Sequence, residues 1–146
     1  MTASDLVLLH GALGDGRQLA PLAERLTDGR RVTMIELPGH GTTPAPQGPL
    51  SIEAFAQAVL GEMDHRAIER ADFFGYSMGG YVALFLAGTV PDRVARVMTV
   101  ATKLAWNVSL HARATALHAR DRWGPLWMPA RGAVIFGRSA TRHPGA

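Results

Sequence analysis

The sequence predicts an α/β fold, a mostly parallel sheet with helices on both faces, and three observations carry that prediction. Strand-like and helix-like segments alternate four times between residues 5 and 101, the pattern of a parallel sheet built by crossover connections. The first strand-like run, Leu6-Val7-Leu8-Leu9, is apolar without alternation, as a strand buried on both faces should be. Gly75-Tyr76-Ser77-Met78-Gly79 reads G-x-S-x-G and sits where a strand hands over to a helix.

The elements follow in order. Residues 5–10 form the first strand, closed by Gly11. Leu19, Leu22, Ala23 and Leu26 recur at helical spacing and predict a helix over 18–26, stopped by Asp28-Gly29. Residues 31–37 read as a second strand. Residues 38–50 hold four prolines and three glycines and must be a loop. Ser51 is placed to cap a helix beginning at Ile52, whose apolar face is Ile52, Phe55, Ala56, Val59, Leu60 and Met63. A short strand at 71–75 precedes the serine, and a helix runs from Ser77 to about Thr89, where Pro91 ends it. Residues 94–101, rich in β-branched side chains, form the fourth strand.

Composition narrows the class. Of 146 residues 47% are hydrophobic and 18% charged, a globular balance, and the length suits one domain with a core. The absence of cysteine excludes disulfides and thiolate metal sites. Asp5 and the lack of a basic leader argue against a secretory signal, and the longest apolar run, residues 81–87, is too short to span a bilayer. A cytoplasmic location without a membrane partner is the expectation. The charge is split: residues 1–106 carry 9 basic and 11 acidic side chains, residues 107–146 carry 6 and 1. The arginines of the second part form no run, so no nucleic-acid partner is expected. The organisation expected is a core over 1–106 and an atypical basic tail over 107–146, poorly ordered or partly helical.

A serine on a sharp strand-to-helix turn is lifted clear of both elements, beside the positive start of a helix. Taken with His10-Gly11-Ala12-Leu13-Gly14 after the first strand and Glu36-Leu37-Pro38-Gly39-His40-Gly41 after the second, the motif resembles the α/β-hydrolase fold superfamily. The resemblance runs over about residues 5–106, with the motifs in the family's order, and Pro91-Asp92-Arg93-Val94 fits at the foot of the fourth strand. It implies a partial three-layer sandwich with the C-terminal part missing or atypical. Its nearest look is to small esterase-like and carbon–carbon-cleaving members. By resemblance Ser77 is the nucleophile, and the N–H groups of Ala12 and Met78 form the oxyanion hole. His10 and Gly11 belong to the site loop, with His10 orienting backbone, and His40 and Glu36 hold the neighbouring loop. Asp92 lies at the opposite end of the sheet. A small-molecule ester or related acyl compound is the implied substrate, without metal or organic cofactor. His111 and His118 have no third ligand at metal spacing.

The family order is serine, acid, histidine. Here Asp121 and His143 are the late candidates, and neither sits in a convincing strand-end loop. The expectation is therefore a hydrolase that is impaired, because a serine without its base is a weak nucleophile and loses about 10⁶ in turnover. Two alternatives stand beside it: a catalytically dead truncated fragment or interaction module, and a lyase or carbon–carbon hydrolase on the same scaffold. Charge and periodicity change near residue 106, which suggests an N-terminal portion of a longer enzyme with an unrelated or out-of-frame ending. The fourth strand would then be an exposed sheet edge through which copies could associate.

Overall fold

A computed structural model describes residues 4–103 of the chain. Four strands, β1 (Asp5–Leu9), β2 (Val32–Ile35), β3 (Ala71–Tyr76) and β4 (Val94–Val100), form one sheet in the order β2-β1-β3-β4, with every pair parallel. Between them lie a 3-10 turn (Gly16–Leu19) running into α1 (Ala20–Ala23), then α2 (Ile52–His65) and α3 (Met78–Thr89), and a second 3-10 turn (Pro91–Arg93) leads into β4. The predicted alternation is present, and β4 lies at one edge of this sheet.

The two faces of the sheet are covered unequally. Val7, Leu9 and Phe73 on one face pack with Phe55, Ala56, Val59 and Met63 of α2 and Val82, Ala83 and Leu86 of α3 in the main core. Leu6 and Leu8 on the other face meet Leu19, with Phe74, Tyr76, Ala23 and Leu26 around them. Val7, Leu8 and Leu9 are wholly buried, which is why β1 shows no polar alternation. The face of α2 expected from spacing is the buried one, and Ser51 Oγ accepts from the Ala54 N–H at 3.1 Å as its cap.

Among the elements that are shorter than the sequence suggests, three have a clear local reason. The helix expected over 18–26 contains Pro21, which has no N–H to donate, so the stretch divides into a 3-10 turn and one α-helical turn. β2 stops at Ile35 because the Leu37 N–H leaves the ladder for His10 Nε2, at 3.0 Å. β4 stops at Val100 because Ala101 takes φ 57°.

The foot of the sheet holds an ion network. Asp72, in β3, is 5% exposed and accepts from Arg96 Nε of β4 at 2.9 Å, Arg30 Nη1 at 3.2 Å and Ser4 Oγ at 2.8 Å. The Arg96 guanidinium beside it, foremost, holds its carboxyl below the usual range against the opposing effect of burial. Asp92 lies in the 3-10 turn before β4, at this same end. The polar network is thus kept at the amino ends of the strands, and the carboxyl ends are left to the site.

Candidate active site

All four strand ends contribute to one place. β1 continues into His10, Gly11 and Ala12; β2 into Glu36, Leu37 and His40; β3 into Ser77; β4 into Thr102. Ser77 is the N-cap of α3 with φ 51° and ψ −111°, a conformation that non-glycine residues rarely adopt. It is half-buried, and among the described residues no group hydrogen-bonds its hydroxyl. Its main chain, in contrast, is fully engaged. The Ser77 N–H donates to the Val100 carbonyl at 2.8 Å, and the Ser77 carbonyl accepts from Thr102 Oγ1 at 2.9 Å.

Gly11 lies against the same turn. A Cβ placed on it would come 2.9 Å from the Tyr76 ring and 3.4 Å from Ser77 Cβ, so only glycine lets the β1 loop approach this closely. The Ala12 and Met78 N–H groups donate to no group among the described residues. Met78 is the first residue of α3, where an amide has no partner within the helix. Ser77, Gly11, Ala12 and Met78 therefore lie together where β1 and β3 end.

Two histidines hold the β1 loop. His10 is wholly buried. Its Nε2 accepts from the Leu37 N–H, so the proton sits on Nδ1, which donates to the Gly11 carbonyl at 2.8 Å. Burial, the largest influence, lowers its pKa and favours that neutral form. His40 sets Nδ1 against the Pro38 carbonyl at 3.0 Å and Nε2 against the Ala12 carbonyl at 2.9 Å. Neither ring has a nitrogen left for Ser77, and His65, at the C-terminal end of α2, belongs to the foot of the sheet. Asp121 and His143 lie outside the described residues, as do His111 and His118. Among the described residues no group of three or more His, Cys, Asp or Glu side chains is placed to hold a metal ion, and no helix is long and apolar enough to cross a membrane.

Glu36 is the anchor of the β2 loop. Its carboxylate accepts from the N–H groups of Gly16, Thr42 and Thr43 and from both threonine hydroxyls, at 2.8–3.3 Å. The Thr42 and Gly16 amides, foremost, pull its pKa from 4.5 to about 2. A depressed carboxyl pKa contributes stability above its unfolded value, lost as pH falls through the folded one. Amide protection at Gly16, Thr42 and Thr43 is therefore expected to be full above about pH 4.5 and to disappear as the pH approaches 2. Hydrogen exchange measured by NMR checks this, with Glu36→Ala already unprotected at neutral pH; equal protection in that variant would refute the anchor.

Sequence reasoning named Ser77, the Ala12 and Met78 amides and the loop residues His10, His40 and Glu36; it did not name Thr102, whose hydroxyl holds the Ser77 carbonyl. A threonine after a strand carries no local signal; only the positive φ of Ala101 turns it back toward Ser77.

Comparison with known proteins gives a consistent picture. The alpha/beta hydrolase fold family matches residues 6–127. The chain is 45% identical over 103 residues to a pimeloyl-[acyl-carrier protein] methyl ester esterase of Aromatoleum aromaticum, covering 70% of this chain and 38% of that protein. It is 37% identical over 128 residues to the esterase of the same name from Neisseria meningitidis, covering 88% and 44%. Among solved structures, the enol-lactonase of Burkholderia xenovorans LB400 is 34% identical with a TM-score of 0.65, covering 82% of this chain and 52% of that one. A thermophilic esterase of Thermogutta terrifontis is 28% identical with a TM-score of 0.70, covering 82% and 46%. The chain thus spans less than half the length of the two curated esterases.

Proposed function

This chain belongs to the alpha/beta hydrolase fold family, and from that premise we propose that it carries the nucleophile and oxyanion hole of a serine hydrolase acting on carboxylic esters. The observation that carries the proposal is the Ser77 turn: a hydroxyl without a hydrogen-bond partner among the described residues, on a backbone forced to positive φ, flanked by two undonated amides. In the proposed reaction Ser77 Oγ attacks the acyl carbon and gives up its proton to a base. The carbonyl oxygen becomes an oxyanion held by the Ala12 and Met78 N–H groups. The carbonyl then re-forms, expelling the alcohol, which takes a proton, and water attacks the acyl-serine in the same way to release the acid. One such donor is worth about 3 kcal/mol of transition-state stabilisation.

The base and its orienting acid are not found among the described residues. His10 and His40 are committed to backbone, so any base must come from elsewhere, with His143 the late histidine to test and Asp121 its partner. The substrate class follows from similar proteins whose names specify a methyl ester and an enol-lactone, both acyl–oxygen bonds. We place the hydrolase core over residues 1–106 and treat residues 107–146, which hold Asp121 and His143, as an atypical basic tail.

The direct test is covalent. The full chain, incubated at neutral pH with a fluorophosphonate probe, is expected to take one adduct at Ser77, located by peptide mass spectrometry and absent from Ser77→Ala. No adduct at all would overturn the nucleophile assignment and leave a hydrolase-like fold that binds without turnover.

A further inference from the structure

The two candidate oxyanion donors are aimed in the same way. A peptide unit is planar, so the direction of an N–H is set by the carbonyl of the preceding residue. The Ala12 N–H shares its plane with the Gly11 carbonyl, which accepts from His10 Nδ1 at 2.8 Å. The Met78 N–H shares its plane with the Ser77 carbonyl, which accepts from Thr102 Oγ1 at 2.9 Å. We propose that Thr102 is a positioning residue of the oxyanion hole: by holding the Ser77 carbonyl, its hydroxyl fixes the plane that points the Met78 N–H at substrate. The proposal rests on the reading of Ser77 as nucleophile.

Three observations single out Thr102. The Ser77 carbonyl also accepts from the Gly80 and Tyr81 N–H groups of α3, but at 3.2 and 3.3 Å, beyond the usual range of 2.7–3.2 Å or at its limit. The threonine hydroxyl, at 2.9 Å within the range of about 2.5–3.0 Å for O–H donors, is the one of the three that comes from outside α3, so it ties the plane to the exit of β4. The exit of β4 also grips Ser77 from both sides: the Val100 carbonyl accepts from the Ser77 N–H, and the Thr102 hydroxyl donates to the Ser77 carbonyl. With both flanking peptide planes fixed, Ser77 has no freedom to relax from φ 51° and ψ −111°. Finally, room is reserved for the hydroxyl. A Cβ on Gly80 would fall on Thr102 Oγ1, so the second glycine of Gly79-Gly80 is the receptor of this clamp.

The test compares Thr102→Ala, which deletes the hydroxyl, with Thr102→Ser, which keeps it and drops only the methyl group. Two readouts are taken on the full chain. The first is the first-order rate of fluorophosphonate capture at saturating probe, together with the probe concentration for half-saturation. Thr102→Ala is expected to lower the rate about 10-fold, short of the 10²–10³ for losing a donor outright, with half-saturation unchanged. Thr102→Ser should stay within about 2-fold on the same scale. The second is the Met78 amide signal by NMR, which needs no chemistry: it should shift in Thr102→Ala and return in Thr102→Ser. A purely structural threonine would lower the melting temperature without moving this signal or splitting rate from half-saturation. An unmoved Met78 signal, an unchanged capture rate in Thr102→Ala, or no recovery in Thr102→Ser overturns the proposal. If the unaltered chain takes no label, the nucleophile reading fails by itself, and the Met78 signal still decides whether Thr102 sets that plane.

Discussion

Replacing Ser77 by glycine is expected to abolish the covalent adduct and raise the melting temperature at the same time. The two effects have one cause. Ser77 is held at φ 51° and ψ −111°, where a Cβ costs about 1–3 kcal/mol. Glycine removes that strain and gives back about 0.5–1 kcal/mol in chain entropy. The net gain is about 1 kcal/mol, or about 3 °C for a chain of this size. Ser77→Ala separates the terms: it also loses the adduct, but its Cβ keeps the strain, so its stability should lie within about 0.5 kcal/mol of the unaltered chain. Thermal denaturation of the three proteins side by side is the measurement. A glycine variant no more stable than the alanine variant would mean that the turn stores no strain, and the physical basis for a hydroxyl held without a partner among the described residues would be lost. The expected ordering, glycine above alanine and serine, is the signature of a residue kept for chemistry at the expense of stability.

How much of this was legible in the sequence depends on whether the signal was local. β1 announces itself because Val7, Leu8 and Leu9 are buried on both faces, and a strand of that kind has nowhere to place a polar residue. The start of α2 is legible because Ser51 caps Ala54 three residues on. The turn at Ser77 is legible because Gly75 and Gly79 are needed within two residues of it. What the sequence concealed is carried by register. Asp72 sits in an otherwise apolar strand, and only the parallel pairing of β3 with β4 brings Arg96 beside it. Glu36 gathers donors from Gly16, twenty residues earlier, and from Thr42 and Thr43. Thr102 depends on the ends of β3 and β4 lying level, with Tyr76 opposite Val100, and on Ala101 reversing the chain after that point. No spacing within one segment encodes any of these. Pro21 is the opposite case: it is a local signal, set within helical periodicity over 18–26 that points the other way.

Gly75→Ala is expected to be among the most damaging single substitutions in the described residues, costing about 3 kcal/mol and lowering the melting temperature by about 10 °C. A Cβ at position 75 would overlap the Gly80 backbone and approach the Gly79 carbonyl carbon at 2.6 Å. These are main-chain atoms of α3, and they have no rotamer to change. Relief would require α3 to move off β3, and α3 cannot move freely: Gly79 is seated on the Leu9 and His10 carbonyls of the β1 chain, and Val82, Ala83 and Leu86 are locked in the main core. The strain would therefore be shared among the three segments that build the site, and the Ala12 and Met78 amides would separate as α3 gives way. Gly61→Ala supplies the contrast. Gly61 lies inside α2, exposed, with nothing within 4 Å of the added Cβ, so the same substitution should stabilise by about 0.8–1 kcal/mol through helix propensity alone. Chemical denaturation of both variants measures the two signs together. If Gly75→Ala were as stable as the unaltered chain, the close seating of the elbow helix on the sheet would be wrong. The approach of Gly11 to Ser77, which depends on that seating, would then have to be abandoned with it.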